Sequence, residues 1–147
     1  MGAVGAVGHG LVAGAIGTIA LTLAEKAEMA VTGRKASTFP GQVGVKLSGR
    51  DPASSPELVE KLNPMVHWAH GIALGPVRGL LDRAGLGPAA ATLVFVPMVW
   101  GGDAALYRAL GLAPEPWRWT PGELATDLFG KSVLAVSTSV AYSLLDR

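Results

Sequence analysis

Residues 2–24 of the chain read GAVGAVGHGLVAGAIGTIALTLA and contain no aspartate, glutamate, lysine or arginine. At about 1.5 Å per residue, an α-helix over this stretch is roughly 34 Å long, enough to cross the roughly 30 Å hydrocarbon core of a bilayer. The stretch is longer than the apolar core of a signal peptide, and no basic residue precedes it. It therefore predicts a retained membrane span over about residues 2–31.

The same stretch carries a small residue at every fourth position. In an α-helix that spacing places the small side chains on one face, against which another helix can lie closely. We expect this ridge to pack mainly within its own chain, with self-association or contact with a membrane-protein partner through the first helix as the alternative. The predicted packing residues are Gly2, Ala6, Gly10, Gly14, Thr18 and Thr22.

Composition narrows the class of protein further. Hydrophobic residues make up 50% of the 147 residues and charged residues only 16%, a balance that favours a membrane protein. The net charge of +1, without a long lysine and arginine cluster, argues against a nucleic-acid partner. Because the chain has no cysteine, disulfides, thiolate catalysis and cysteine-ligated metals are excluded.

Three further apolar segments follow a polar loop over residues 33–63. Gly33 predicts the end of the first helix, and Thr120 to Glu123 form a capping box that opens the last one. Asn63-Pro64 predicts the start of the second helix, after a short loop helix that begins at Pro56. The predicted later spans cover about residues 64–83, 88–110 and 121–145.

The predicted fold is all-α: a single membrane-embedded four-helix bundle, with three spans plus one interfacial helix as the runner-up. A soluble bundle of buried helices is the remaining alternative. The second span is the weakest, because Pro76 interrupts it and Arg78 must reach the interface or sit there. In the polar loop, the apolar side chains of Phe39, Val43, Val45 and Leu47 could enter the headgroup region of the bilayer.

The basic residues predict an orientation. Most lysines and arginines fall on the side of the 33–63 loop, which places that loop in the cytoplasm and both termini outside. All four tryptophans fall at the same end and are predicted to anchor the bundle at one membrane interface. They are Trp68, Trp100, Trp117 and Trp119.

Polar side chains from all four predicted spans converge at that level. Lys131 can pair with Asp127 one helical turn away, or with a carboxylate on another helix, and two histidines lie nearby as titratable groups. The cluster is either a polar vestibule suited to proton or ion movement, or a set of charges that anchor helix ends at the headgroups. Its members are Glu25, His67, His70, Asp103, Asp127 and Lys131.

No metal and no other cofactor is predicted. His67 and His70, with Met65, Met29 or Asp103, could be considered as ligands of a metal or a haem, but no third ligand stands at a recognised spacing. No nucleophile and base stand at a diagnostic spacing either, so the chain is not expected to be an enzyme.

Several segments together resemble short, uncharacterised four-span bacterial inner-membrane proteins that are distantly YagU-like. The resemblance implies four spans in the bacterial inner membrane, without an established catalytic site, and no functional residue is carried over from it. In those relatives a histidine often stands where this chain has Lys131. The segments are Gly10 to Thr18, Gly33 to Ser37, His67 to Gly71, and Pro116 to Thr120 followed by Asp127-Leu128.

The leading functional hypothesis is a small multi-pass inner-membrane protein with a structural or accessory role, as a subunit of a homo-oligomer or of a larger membrane complex. The alternative is a transporter or channel component for protons, ions or a small solute that uses the polar cluster. The lipid bilayer is the partner expected under both hypotheses.

Overall fold

The computed structural model describes residues 2–147 and is helical, without strands, over that range. Short connections, with 3-10 turns at Pro52–Ser54 and Pro116–Arg118, join five α-helices: α1 (Ala3–Thr32), α2 (Phe39–Leu47), α3 (Pro56–Arg83), α4 (Pro88–Ala109) and α5 (Pro121–Leu145). Three of these helices, α1, α4 and α5, are long and apolar enough to cross a membrane. The prediction of an all-α chain is confirmed. Three of the four predicted spans have the length and composition of membrane-spanning helices, and the predicted second span, which lies within α3, is not among them.

Two helix ends follow directly from local sequence. Gly33 ends α1 in the left-handed conformation, with φ at 71°, and its N–H donates to the Met29 carbonyl at 2.9 Å. At the start of α5 the Thr120 hydroxyl accepts from the Glu123 N–H at 3.2 Å, and the Glu123 carboxylate accepts from the Thr120 N–H at 2.8 Å. Both predicted caps are confirmed.

The start of α3 corrects the sequence prediction, because the helix runs without a break through Pro64 and Pro76. Asn63 is therefore not a helix cap. Its side chain accepts a hydrogen bond from the Gly41 N–H at 2.8 Å and donates to the Ser37 carbonyl at 3.0 Å. These bonds fix α2 along the first half of α3, and such tertiary contacts outweigh the local signal for a break.

The apolar side chains of α2 also lie elsewhere than predicted. Val43 and Val45 are buried within the protein, and Phe39 stacks on Tyr107 of α4. Of the four apolar residues assigned to the headgroup region, Leu47 alone is largely exposed. The helix therefore covers one end of the bundle instead of presenting these side chains to lipid.

The glycines of α1 lie against a second series of glycines on α3. Gly10 packs against Gly75, and Gly14 packs against Gly71. The contact between the two helices extends along α3 to Gly79. A methyl group added at Gly10 would stand 2.6 Å from the Pro76 backbone, so the two helices touch backbone to backbone. Of the predicted ridge, Ala6, Gly10, Gly14 and Thr18 are buried, Thr22 is partly buried, and Gly2 is exposed.

A buried apolar layer fills the middle of the bundle. Helix α5 packs on α1 and α4, and α4 also packs on α3. Leu74 and Val77 of α3 pack against the layer from one side. The buried members of the apolar layer are Leu21, Phe95, Val99, Leu134 and Ala135.

Arg78 contradicts the prediction that it reaches the membrane interface, because its side chain is 0% exposed. Its Nε donates to the Ser139 hydroxyl at 2.7 Å and its Nη2 to the Ser143 hydroxyl at 3.3 Å. The guanidinium also lies over the Tyr142 ring, 5.0 Å from the centroid. Hydroxyl groups on α5 hold the charge inside the bundle, so the side chain does not need to extend to water.

Candidate functional site

Three charged or titratable side chains from three helices meet beside the apolar layer. His70 of α3 places its Nε2 2.7 Å from Asp103 Oδ1 of α4, and Lys131 of α5 places its Nζ 2.8 Å from Asp103 Oδ2. We call His70, Asp103 and Lys131 the Asp103 clasp. Among the partners that the sequence left open for Lys131, the structure places Asp103 at ion-pair distance.

The Asp103 clasp is held mainly by charge. The Asp103 side chain is 4% exposed and the Lys131 side chain 17%, so the ion pair is largely shielded from water. Both contacts to the carboxylate are also within the distance range of charge-assisted hydrogen bonds, 2.7 Å for His70 and 2.8 Å for Lys131.

Asp127 and Glu25 complete the electrostatic surroundings of Lys131. Both carboxylates lie close enough to Lys131 to interact with its charge, but neither is at ion-pair distance. With every carboxyl ionised and His67 and His70 neutral, Glu25, Asp103, Asp127 and Lys131 sum to a charge of −2. The site therefore has more carboxylates than fixed cations, which favours the uptake of positive charge.

Tyr107 belongs to the site although the sequence analysis did not select it. Its hydroxyl lies 3.3 Å from Lys131 Nζ, and its ring stacks on Phe39 with centroids 4.8 Å apart. Tyr107 follows Asp103 by four residues on α4, so both side chains lie on one face of that helix. That spacing is the signal from which Tyr107 could have been found.

His67 lies on the same cavity but makes a separate contact. Its Nε2 is 3.0 Å from the Thr22 hydroxyl, which itself donates to the Thr18 carbonyl at 2.7 Å. Because that hydroxyl has given its proton to the backbone, His67 Nε2 is the donor in the shared bond. Thr18 and Thr22, two residues of the predicted ridge, thus orient His67, a predicted site residue.

All six predicted cluster residues line one cavity of about 610 Å³, which we call the vestibule. Apolar side chains such as Phe39, Val43 and Leu106 form part of its wall. Glu28 and Arg34, which form an ion pair at 2.7 Å, also line it. The apolar layer contributes Leu21 and Leu134 to the lining, so the vestibule ends at that layer.

The two ring nitrogens of His70 have different surroundings in the vestibule. The ring nitrogen of His70 that faces Asp103 carries a proton, because only a proton makes that close approach to a carboxylate attractive. The other nitrogen, Nδ1, remains to accept a second proton, and the His70 side chain is 37% exposed. Within residues 2–147, no three histidine, aspartate or glutamate side chains are grouped as metal ligands would be.

The tryptophans lie around the same end of the molecule. Trp68 follows His67 on α3, and their rings meet edge to face at 5.8 Å. Trp100 of α4 meets Trp119 edge to face at 6.4 Å, and Trp117 is almost fully exposed on the neighbouring turn. This arrangement agrees with a set of interface anchors, a role that stays a prediction.

The connection between α4 and α5 is held by surface charges. Glu115 accepts from Arg108 Nε at 3.0 Å and lies 3.5 Å from Arg118 Nε. Its own backbone N–H, together with the Arg108 guanidinium, holds the pKa of the Glu115 carboxyl below its usual range. The carboxylate therefore stays charged under mildly acidic conditions and keeps this turn beside the tryptophans.

Comparison of the chain with protein-family models, with curated proteins and with solved structures finds no match. The similarity to YagU-like proteins stays a prediction from the sequence segments that carry it. Function is therefore argued from the vestibule itself.

Proposed function

We propose that the protein is a four-span bundle of the bacterial inner membrane, with the 33–63 region in the cytoplasm and both termini outside. Helices α1, α4 and α5 have the length and hydropathy of spans. Helix α3 is less apolar, and its contacts with each of the other four helices support a place inside the same bundle. Its buried arginine and glycines face protein, where polar groups are tolerated at membrane depth.

Within that bundle, we propose that the vestibule is a transport site that carries protons. The observation that carries the proposal is Asp103, which is almost wholly buried yet touches both a titratable imidazole and a lysine at the edge of a cavity. Ionisable groups at such depth are costly to retain in a membrane protein, and they are typical of proton relays.

Proton uptake alters the Asp103 clasp directly. When His70 takes up a proton at Nδ1, the imidazole becomes a full cation 2.7 Å from Asp103 and competes with Lys131 for the carboxylate. Lys131 then gains freedom to turn toward Asp127 or Glu25. Loss of the proton reverses the exchange, so uptake and release of one proton change which helices the carboxylate joins.

Proton flux in liposomes tests this proposal. Purified protein in liposomes should dissipate an imposed pH gradient faster than empty liposomes do. The substitutions Asp103→Asn and Lys131→Met should each slow the flux by about tenfold or more, since each removes a partner in the clasp. Asp127→Asn should slow it to a smaller extent.

Glu60→Gln is the matched control, because Glu60 is an exposed carboxylate on α3 outside the vestibule. It should leave the flux unchanged. Flux no greater than that of empty liposomes, or equal flux from the wild type and the Asp103→Asn and Lys131→Met variants, would contradict the transport proposal.

A structural or accessory role is the second proposal, and the outer face of α1 supports it. With its ridge turned onto α3, α1 presents Val12, Ile16 and Ile19 outward. Gly8 adds open space for a close helix contact on that side. Co-purification from native membranes in mild detergent should then recover a second copy or another membrane protein, whereas a partner-free monomer that transports protons would exclude this role.

A further inference from the structure

A second polar cluster joins the same three helices as the Asp103 clasp. Arg78 of α3 donates to Ser139 of α5, and the Ser139 hydroxyl shares a short hydrogen bond with the Thr92 hydroxyl of α4. Thr92 gives its own proton to the Pro88 carbonyl, so Ser139 is the donor to Thr92. We call Arg78, Ser139 and Thr92 the Arg78 clasp.

The apolar layer separates the two clasps on every helix that they share. On α4, Phe95 and Val99 lie between Thr92 and Asp103. On α5, Leu134 and Ala135 lie between Lys131 and Ser139, and on α3, Leu74 and Val77 lie between His70 and Arg78. On α3 and α5 the clasp residues are eight positions apart, about 12 Å along a helix.

A second cavity lies next to the Arg78 clasp. It has a volume of about 470 Å³ and is lined by Ala6, Asp82, Arg83, Tyr142 and Asp146. Asp82 stands 3.8 Å from Arg78 Nη1, and the Tyr142 ring lies under the guanidinium. Asp82 and Tyr142 thus both line the second cavity and lie beside Arg78. At the other end, the vestibule is lined by the residues of the Asp103 clasp themselves.

We propose that this second cavity is the opposite mouth of the transport route that begins at the vestibule, and that Arg78 is the residue that closes it. The inference rests on the proposed transport function. The route runs from the vestibule between α3, α4 and α5 and then past Arg78 to the second cavity, which residues of α1, α3 and the end of α5 line. It is shut by the apolar layer and by a clasp on each side. Transport requires the two clasps to open in turn.

The burial and the hydrogen-bond partners of Arg78 fit a residue that closes the route in one conformation and leaves it open in another. A guanidinium buried at 0% exposure is costly, and within residues 2–147 its Nη1 has no hydrogen-bond partner. Asp82, the carboxylate at the edge of ion-pair distance from Arg78, is 30% exposed. The fixed positive charge also repels inorganic cations from the closed route. Opening would return this charge to water in the second cavity, which offsets the loss of the Ser139 contact.

A single introduced cysteine tests the inference, because the chain has none of its own. Val99→Cys places a thiol in the apolar layer, where Val99 is 2% exposed. The label is a membrane-impermeant thiol reagent, applied to spheroplasts and, separately, to inverted membrane vesicles. In the otherwise unchanged protein, labelling should be slow from both sides.

Breaking one clasp should open the layer from one side only. We expect Arg78→Gln, and in milder form Ser139→Ala, to raise the labelling rate of the Val99→Cys protein about tenfold from the side of the second cavity. Asp103→Asn should raise it from the opposite side. The matched control is Val94→Cys on α4, where Val94 is 38% exposed on the outer surface; its labelling should not respond to either clasp.

Other outcomes overturn the inference and separate it from the proposed function. Unchanged labelling in Arg78→Gln, Ser139→Ala and Asp103→Asn, in a protein that still carries protons, would reject the second mouth but leave transport in place. Equal acceleration from both sides, together with faster labelling of Val94→Cys, would indicate general loosening and would also reject it. One-sided opening in a protein without proton flux would support the closure and reject proton transport.

Discussion

At the scale of single residues, Asp103 decides how the vestibule is organised. It is the one carboxylate in the cluster that contacts both an imidazole and an ammonium at ion-pair distance. Asp127, only one turn from Lys131 on the same helix, is the simpler partner to predict from sequence, yet it does not form the pair. The rotation of α4 about its axis turns Asp103 inward, and that rotation depends on packing that no local pattern encodes.

Removal of the Asp103 charge should cost more stability than removal of the Asp127 charge. Asp103→Asn leaves the Lys131 ammonium largely buried without its closest counter-charge, for an expected loss of about 3 kcal/mol. Unfolding in detergent by denaturant measures the change. The double variant Asp103→Asn with Lys131→Met should recover part of that loss. Additive losses in the double variant would mean that the two residues do not act as a pair.

Tyr107 should contribute to the site through its hydroxyl and to the fold through its ring. Tyr107→Phe removes the oxygen 3.3 Å from Lys131 and keeps the stack on Phe39, so a stability loss of about 1 kcal/mol is expected. Tyr107→Leu also removes the stack and should lose more. Thermal unfolding of both variants measures the difference, and equal losses would show that the hydroxyl contact does not stabilise the protein.

At the scale of elements, the closest helix contact is the glycine seam between α1 and α3. The α1 half of the seam was visible in the sequence as a fourfold spacing of small residues. Its α3 half, Gly71, Gly75 and Gly79, has the same spacing, but it lies in a segment that also carries histidines, prolines and an arginine, so the small residues stand out less from the sequence. The seam fixes the level at which Thr22 meets His67, and so it positions the wall of the vestibule.

A methyl group in the seam should destabilise the bundle, whereas the same change outside it should not. Gly75→Ala places a Cβ against the Gly10 carbonyl and should cost about 1–3 kcal/mol. Gly8→Ala on the open side of α1 meets nothing within 4 Å and should stabilise the helix by up to about 1 kcal/mol. Denaturant unfolding of the two variants, side by side, distinguishes the seam from a general effect of glycine, and a gain for Gly75→Ala would contradict the close contact.

The ends of the helices could be predicted from the sequence more reliably than the path of α3 could. The end of α1 and the start of α5 depend on bonds within four residues, so Gly33 and the Thr120 capping box were sufficient signals. The path of α3 depends on contacts from α2, more than fifteen residues away, and the local Asn63-Pro64 signal was misleading for that reason. The predicted location of Arg78 at the membrane interface was wrong because the hydroxyl groups that it contacts lie on α5, over sixty positions later in the chain.

At the scale of the whole molecule, α2 closes the cytoplasm-facing end in the proposed orientation. It rests on α3 through Asn63 and on α4 through the stack of Phe39 on Tyr107. Its side chains line part of the vestibule without contributing a charge. Helix α2 therefore covers part of the cluster at that end.

Loss of the Asn63 contacts should free α2 without unfolding the bundle. Asn63→Ala removes one hydrogen bond to the Gly41 N–H and one to the Ser37 carbonyl. Hydrogen exchange followed by mass spectrometry should then be faster over residues 37–47 and unchanged over α5. Lys46→Ala, an exposed change on the same helix, is the control. Unchanged exchange over 37–47 in Asn63→Ala would show that α2 is held by other contacts.

The unequal packing of the helices has a mechanical consequence. Helix α1 lies against both α3 and α5, with backbones in contact along the glycine seam, so these three helices form a stiff frame. Helix α4 touches that frame through the apolar layer, the two clasps and a few neighbouring side chains. Under the proposed transport function, α4, which packs on α5 and α3 without an extended contact with α1, is the wall that moves relative to this frame.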